Sequence, residues 1–295
     1  MAGLEMIRAS GLTKVFKGQR VLDALDLCVE AGERVALVGA NGAGKTTLIR
    51  CLLGEYAHGG NVSVGGLAPR SDRREVLRRV GFVPQLPPPL RMPVGALLHF
   101  AAEVCGSDPA RIEAVSSALG LDPRGLWRRP FAKLSGGQKQ KLLIAVALGR
   151  ACDLLILDEP AANLDPQARR SFFDLLAQRK GEATMLISSH RIDEVASLVT
   201  RVVELDHGRV VVDDRVDGGA ALGIVLRCRA ELLRPAEAVA KALLAWGLAS
   251  SNGETVFEGT IAGPDRLRFL GAMARYSGAV RALELAEPGA GSGAR

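Results

Sequence analysis

Long apolar runs, aromatic rings and paired cysteines are scarce in this 295-residue sequence. Aromatics make up 4%, which leaves few stacking platforms for single-stranded nucleic acid and requires an aliphatic core. No apolar run reaches the ~18 residues of a membrane span. The longest candidate, "LLIAVALGRACDLLIL", is broken by Arg150 and Asp153. The start, "MAGLEMIRAS", has neither a basic n-region nor a long apolar stretch, so no secretory leader is expected. Cys28, Cys51, Cys105, Cys152 and Cys228 form no CxxC pair, which excludes a zinc knuckle or a dithiol redox motif. Most of these thiols lie in apolar stretches and read as small core residues suited to a reducing compartment. The expectation is a soluble protein that reaches a membrane only through a partner.

Hydrophobic residues at 48% and charged residues at 24% suit a globular core. The length allows one large domain or two smaller ones. The net charge is +6, part of it in "RSDRREVLRR" (Arg70 to Arg79). A solvated helix face explains that run; a phosphate-rich partner or a membrane surface also fits it.

Strands are expected at Met6–Leu12, Val21–Glu30, "ERVALVG", "NVSVGG" and "RRVGFVPQ", with a helix from Lys45. A proline-rich entry, "LPPPLRMP", opens a helical stretch with helices at Val94–Cys105 and Pro109–Leu119. "LSGGQ" then starts another helix, with Ser135 as its N-cap. Strand "DLLILDEP", helix Pro166–Lys180, strand "ATMLISSH" and helix Ile192–Val199 follow. Strands "RVVELD" and "GRVVVDD" meet at a His207–Gly208 turn. Strands alternating with helices imply a mostly parallel sheet. A composition shift places a boundary near Asp217, followed by a small α/β segment; "PGAGSGAR" reads as a disordered tail.

"GANGAGKTT" fits G-x-x-x-x-G-K-[ST] between a strand and a helix. Gly39, Asn41, Gly42, Ala43 and Gly44 would wrap phosphates with backbone N–H groups. Lys45 would reach the β- and γ-phosphates, Thr46 would hold Mg²⁺, and Thr47 follows in the first turn. Asp158 ends a buried strand, where it would orient the Mg²⁺ shell. Glu159 follows it; it would either polarise a water at the γ-phosphate or merely cap a loop. His190, past another strand end, is either structural or a hydrogen-bond donor to the γ-phosphate. Gln85 is a contact to metal or water, or a surface glutamine. Phe16, in a polar loop, covers the core edge or stacks on adenine. Asp165 is an N-cap or a contact to another subunit.

In this order the motifs resemble the nucleotide-binding subunit of an ATP-binding cassette (ABC) transporter. The resemblance covers roughly Leu4 to Asp213. Phe16 matches the A-loop, Gly39–Thr47 the Walker A loop, Gln85 the Q-loop and Leu134–Gln138 the signature. Asp158 and Glu159 match Walker B, Ala162–Asp165 the D-loop, and His190 the H-loop. Phe16 stands where tyrosine is common, and Ala161 where threonine is common; no charged catalytic group is missing.

The resemblance implies an α/β P-loop NTPase fold with a mostly parallel core sheet, an antiparallel β subdomain and a helical insertion. The ATPase domain would span 1–216, with its helical subdomain at about 86–151. A C-terminal α/β domain would cover 217–287 and a tail 288–295. It also implies an ATPase using ATP and Mg²⁺, with Glu159, His190, Lys45 and Gln85 catalytic and Thr46, Gln85 and Asp158 at the metal. Two copies would pack head to tail, so that Ser135, Gly136, Gly137, Gln138 and Asp165 of one address the ATP held by the other. The partner would be a separate polytopic permease, with the ATPase on the inner face of the cell membrane and no direct nucleic-acid contact. One cassette with a small C-terminal domain resembles ATPases of ABC-2-type exporters, including the one used in nitrous-oxide reductase copper-site maturation. The alternative is a cassette ATPase acting on nucleic acid or the ribosome. Against it stand the absence of coiled-coil or zinc-hook insertions and of a second cassette.

Overall fold

Three short, largely apolar sequences form the centre of the protein. In the computed structural model these are β3 (Arg34–Val38), β6 (Leu154–Asp158) and β7 (Thr184–Ser188). Every residue of β6 and β7 is buried. Continuous burial of this kind marks strands covered on both faces, as parallel sheets are. The structure describes residues 4–179, 181–189, 192–215, 225–252, 255–262, 269–270, 272–273, 276 and 278–286.

The chain forms two compact units, Met1–Arg191 with Leu198–Arg215, and Ile192–Ser197 with Val216–Arg295. The first begins with β1 (Glu5–Phe16) and β2 (Gln19–Glu30), then β3, α1 (Lys45–Leu52) and β4 (Gly59–Val64). It continues with α2 (Arg73–Arg79), β5 (Val80–Val83), α3 (Val94–Cys105), α4 (Pro109–Ala118) and α5 (Gly136–Leu148). After β6 come α6 (Pro166–Gln178), β7, and then β8 (Arg201–Asp206) and β9 (Arg209–Arg215). The core sheet has the order β5-β6-β7-β3-β8-β9. Its neighbours pair in parallel except for the β8–β9 hairpin. A separate antiparallel sheet, β2-β1-β4, flanks it.

Aliphatic side chains from both sheets and from α1 share one core, including Ile7, Leu22, Leu48, Ile49, Ile156 and Leu186. Removing one such side chain to alanine costs about 2–5 kcal/mol. The helices α3, α4 and α5 build a second core around Phe131, with Leu98, Ile112 and Leu142. These helices carry the insertion between β5 and β6.

The second unit contains α7 (Ile192–Val195) and a following 3-10 turn, Ala196–Leu198, of which the last residue belongs to the first unit. It also contains β10 (Val225–Leu232), α8 (Glu237–Ala245), β11 (Ala249–Asn252), β12 (Val256–Ala262) and β13 (Val280–Ala286). Its sheet is antiparallel, in the order β11-β12-β10-β13. Val239 and Leu243 of α8 pack on it, with Phe257, Ile261 and Phe269.

Several sequence expectations need correction. Phe16 is not a loop residue: the β1–β2 hairpin carries pairing out to Phe16↔Gln19. The helix expected at Ile192–Val199 is one α-helical turn continued as a 3-10 turn. Strand β11 was not foreseen; "ASSN" carries little apolar pattern. Only Cys51 and Cys228 are buried, while Cys28, Cys105 and Cys152 are partly exposed. The expected boundary at Asp217 and tail at 288–295 lie outside the described residues.

Candidate functional site

The carboxyl ends of β3, β6 and β7 lie side by side, and the loops that leave them hold the polar groups. In α/β sheets that edge is where ligands bind. The glycine loop follows β3. Gly39 has φ 142°, and a Cβ there would lie 2.3 Å from the Leu205 carbonyl oxygen. Gly44 has φ 109°, with Leu22 Cδ2 2.9 Å from a Cβ position. Asn41 and Gly42 are exposed, while Ala43, Gly44 and Lys45 are buried.

Gly44 is also the N-cap of α1, and no side chain caps that helix. The N–H groups of its first turn, at Lys45, Thr46 and Thr47, therefore have no side-chain cap, the condition under which a helix start can take an anion. By contrast, Asp108, Ser135 and Asp165 cap α4, α5 and α6 with their side chains. Lys45 Nζ donates to the carbonyls of Gly39 at 2.7 Å and Ala40 at 3.2 Å. Burial holds its pKa below the ordinary lysine range, opposed by the charges of Glu159 and Asp158.

A hydrogen-bonded chain joins the three strand ends. Thr46 Oγ1 donates to Asp158 Oδ2 at 2.9 Å. Ser188 Oγ donates to the other carboxylate oxygen, Asp158 Oδ1, at 2.7 Å. The same hydroxyl accepts the Glu159 backbone N–H at 2.9 Å. Glu159 sits at φ 46°, a conformation non-glycine residues rarely adopt. Asp158 is 2% and Glu159 9% exposed. A strained, nearly buried acid at a strand end is an observation that points to function.

Ser135 caps α5 by accepting the Gln138 N–H, while Gln138 Oε1 accepts the Ser135 N–H. This is a complete capping box. Gly136 and Gly137 keep their N–H groups outside it. A Cβ on Gly137 would meet the Asn163 carbonyl at 3.1 Å, so the helix start lies close against the Ala162–Asp165 loop. Gln140 Nε2 donates to the Pro160 carbonyl at 3.0 Å, and Lys141 Nζ pairs with Asp165 at 2.7 Å. Asp165 is indeed the N-cap of α6, accepting from Ala168 N at 2.9 Å. That bond, and then Lys141, hold its pKa below the usual carboxylate range.

Phe16 packs edge-on against Tyr56, with ring centroids 5.2 Å apart and Lys14 Nζ 4.5 Å from its own centroid. Gln85 is exposed, two residues past β5. His190 lies outside the described residues. Among the described residues no hydrogen bond or ion pair joins Ser135–Gln138 to Gly39–Thr47 of the same chain.

A family pattern described as ABC transporter matches residues 22–162. The daunorubicin resistance ATP-binding protein of Streptomyces coeruleorubidus is 32% identical over 252 residues, 80% of this chain and 76% of that protein. The aliphatic sulfonates import ATP-binding protein of a Mycobacterium species is 40% identical over 223 residues, 72% of this chain and 84% of that protein.

The chain belongs to the ATP-binding subunits of ABC transporters.

A solved structure of an ATP-binding subunit of an ABC transporter superposes with a TM-score of 0.65 at 28% identity, covering 72% of this chain and 90% of that one. Proteins of this family bind ATP and hydrolyse it, and this ABC ATPase has the family fold. Its relatives include an import protein and a drug-resistance protein. No described helix is long and apolar enough to cross a membrane.

Sequence reasoning missed Ser188, Tyr56, Gln140 and Lys141. Ser188 was visible as a serine closing an apolar strand. Its importance depends on β7 lying beside β6 with Asp158 opposite Ser188, and strand order is not written locally.

Proposed function

We propose that this ABC ATPase hydrolyses ATP at two composite sites of a homodimer and drives a separate permease, in the direction of export. The observation that supports the hydrolytic part is the chain Thr46–Asp158–Ser188–Glu159, which fixes a hydroxyl–carboxylate oxygen pair and a neighbouring acid in relation to each other. Thr46 and Asp158 would hold Mg²⁺. Their oxygens are 2.9 Å apart and Asp158 is buried, a hard-oxygen pair of the kind that ion takes with phosphates and water. When bound there, the ion would supply positive charge to offset that of the phosphates.

The chain's own residues do the rest. The open N-terminus of α1 binds phosphate oxygens. Lys45 exchanges its two loop carbonyls for the β- and γ-phosphates, which suit its positive charge better. Glu159 accepts a proton from the attacking water, and His190 donates a hydrogen bond to the γ-phosphate. Gln85, exposed at the entry to the insertion, would contact the metal or the water. Phe16 receives the adenine, with Tyr56 bracing its edge. Gly136 and Gly137, beside the Ser135 cap, present N–H groups to the nucleotide of the other copy. Closure therefore requires ATP between the two subunits.

The permease surface is proposed beside Gln85. Leu86 is 75% exposed, and Phe100 and Val104, one turn apart on α3, are 56% and 57% exposed. Large exposed apolar side chains on one subdomain suit a protein partner. Export is supported by the daunorubicin resistance relative, whose alignment spans 80% of this chain. The corresponding place of work is the inner face of the membrane.

Affinity purification from solubilised membranes tests this reading. A polytopic protein should copurify with the wild type and be lost from the Leu86→Glu/Phe100→Glu variant, with ATP binding retained. Isolation without any membrane protein from native membranes would contradict it.

A further inference from the structure

A cavity lies at the edge of the core sheet opposite the glycine loop, among the amino ends of β3, β6 and β7. It measures about 130 Å³ and is lined by four arginines, Arg34, Arg111, Arg150 and Arg179, against one carboxylate, Glu182. Two of the arginines are buried, Arg34 at 4% and Arg150 at 8% exposure. Their described hydrogen-bond partners are neutral. Arg34 Nε donates to the Leu198 carbonyl at 2.6 Å and Nη2 to the Leu176 carbonyl at 3.0 Å. Arg150 Nη2 donates to the carbonyls of Leu77 at 3.2 Å and Arg78 at 2.5 Å.

Leu176 lies in the last turn of α6, and Leu77 and Arg78 in the last turn of α2. Cations belong at such helix ends, which accounts for part of the arrangement. It does not account for Arg150 Nε, which is buried with no hydrogen-bond partner among the described residues. Nor does it explain why Arg111 and Arg179 converge on the same space. Buried charges are ordinarily paired. By burial alone the Arg34 guanidinium is held below its ordinary pKa, the direction expected of a cation lacking a counter-ion. A water needs about 10–15 Å³ measured in this way, so the cavity has room for several waters or one tetrahedral oxyanion.

We infer that this pocket binds a small phosphate-class oxyanion between the buried pair Arg34 and Arg150 and the rim arginines Arg111 and Arg179. Arg111 belongs to α4 of the helical insertion, whereas Arg34 opens a core strand. The anion therefore ties the insertion to the edge of the sheet that the ATP loops do not use. Its occupancy sets how firmly the insertion is held to the core.

Thermal unfolding of the full chain with inorganic phosphate and with pyrophosphate tests the site. Arg111 is exposed and Arg179 half-buried, so an Arg111→Glu/Arg179→Glu variant should fold. Phosphate or pyrophosphate should still stabilise Lys45→Ala, because that substitution impairs only the ATP loop and leaves the arginine pocket intact. The arginine variant should bind the anion at least about tenfold more weakly while its ATP affinity stays at the wild-type value. A preference for pyrophosphate would assign the pocket to a phosphate chain, and a preference for phosphate to a single group. The proposal is overturned if stabilisation disappears in Lys45→Ala. It is also overturned by equal stabilisation in the arginine variant, the pattern of an excluded-salt effect, or by no stabilisation at all. Crystals soaked in tungstate give a second readout: an anomalous peak among the arginines is expected, and its absence at full occupancy of the ATP loop counts against the site.

Discussion

Ser188→Ala is the substitution that probes the proposed catalytic arrangement most economically. Ser188 is fully buried, and its hydroxyl makes two bonds at once. Its loss removes a charge-assisted bond to Asp158, worth about 1.5–3 kcal/mol. It also leaves the Glu159 N–H without that acceptor, at a cost of about 1–3 kcal/mol. The two losses share one hydroxyl and do not add fully, so a destabilisation of about 2–4 kcal/mol is expected. Glu159 is held at φ 46° with its amide on this serine, so the acid should shift as well. A displacement near 1 Å can cost about 100-fold in rate. Urea unfolding and steady-state ATPase assays together check both parts: kcat should fall steeply and ATP affinity little, because the phosphate loop is untouched. A stability loss below about 0.5 kcal/mol with wild-type kcat would refute the reasoning.

Other outcomes follow from the same geometry. Gly39→Ala should abolish ATP binding or destabilise the chain by more than about 2 kcal/mol, since its Cβ would stand 2.3 Å from a backbone oxygen; isothermal titration and urea unfolding report it. Phe16→Ala should weaken ATP binding by about 1–3 kcal/mol, the value of one stacked base, and Phe16→Tyr should restore it. Asp165 has a depressed folded pKa, so its contribution to stability is present above the unfolded value near 3.9 and is lost as pH falls through the folded value. Asp165→Asn keeps a good N-cap but not the charge, and should flatten that acid dependence in denaturation midpoints measured against pH.

The parallel core was legible because β6 and β7 each centre on a short apolar run, and the glycine loop because its spacing has a mechanical reason. Ser135 was legible as a cap because the capping box is local. Tertiary placement was not. Phe16 looked alone because Tyr56 reaches it from beyond α1, and Ser188 looked ordinary because its partner is on a different strand. The arginine pocket was equally hidden: Arg34, Arg111, Arg150 and Arg179 meet only after four separate segments fold together.

The central claim is that two copies share each ATP, and the mass of a hydrolysis-deficient protein in solution tests it directly. In Glu159→Gln, ATPase should fall by about 10²–10⁴-fold and ATP should accumulate bound. Light scattering should then show a monomer without nucleotide and a dimer with ATP. Adding Ser135→Arg should return the mass to that of a monomer while each chain still binds ATP. A monomer in saturating ATP for Glu159→Gln, or a dimer indifferent to Ser135→Arg, would contradict the account.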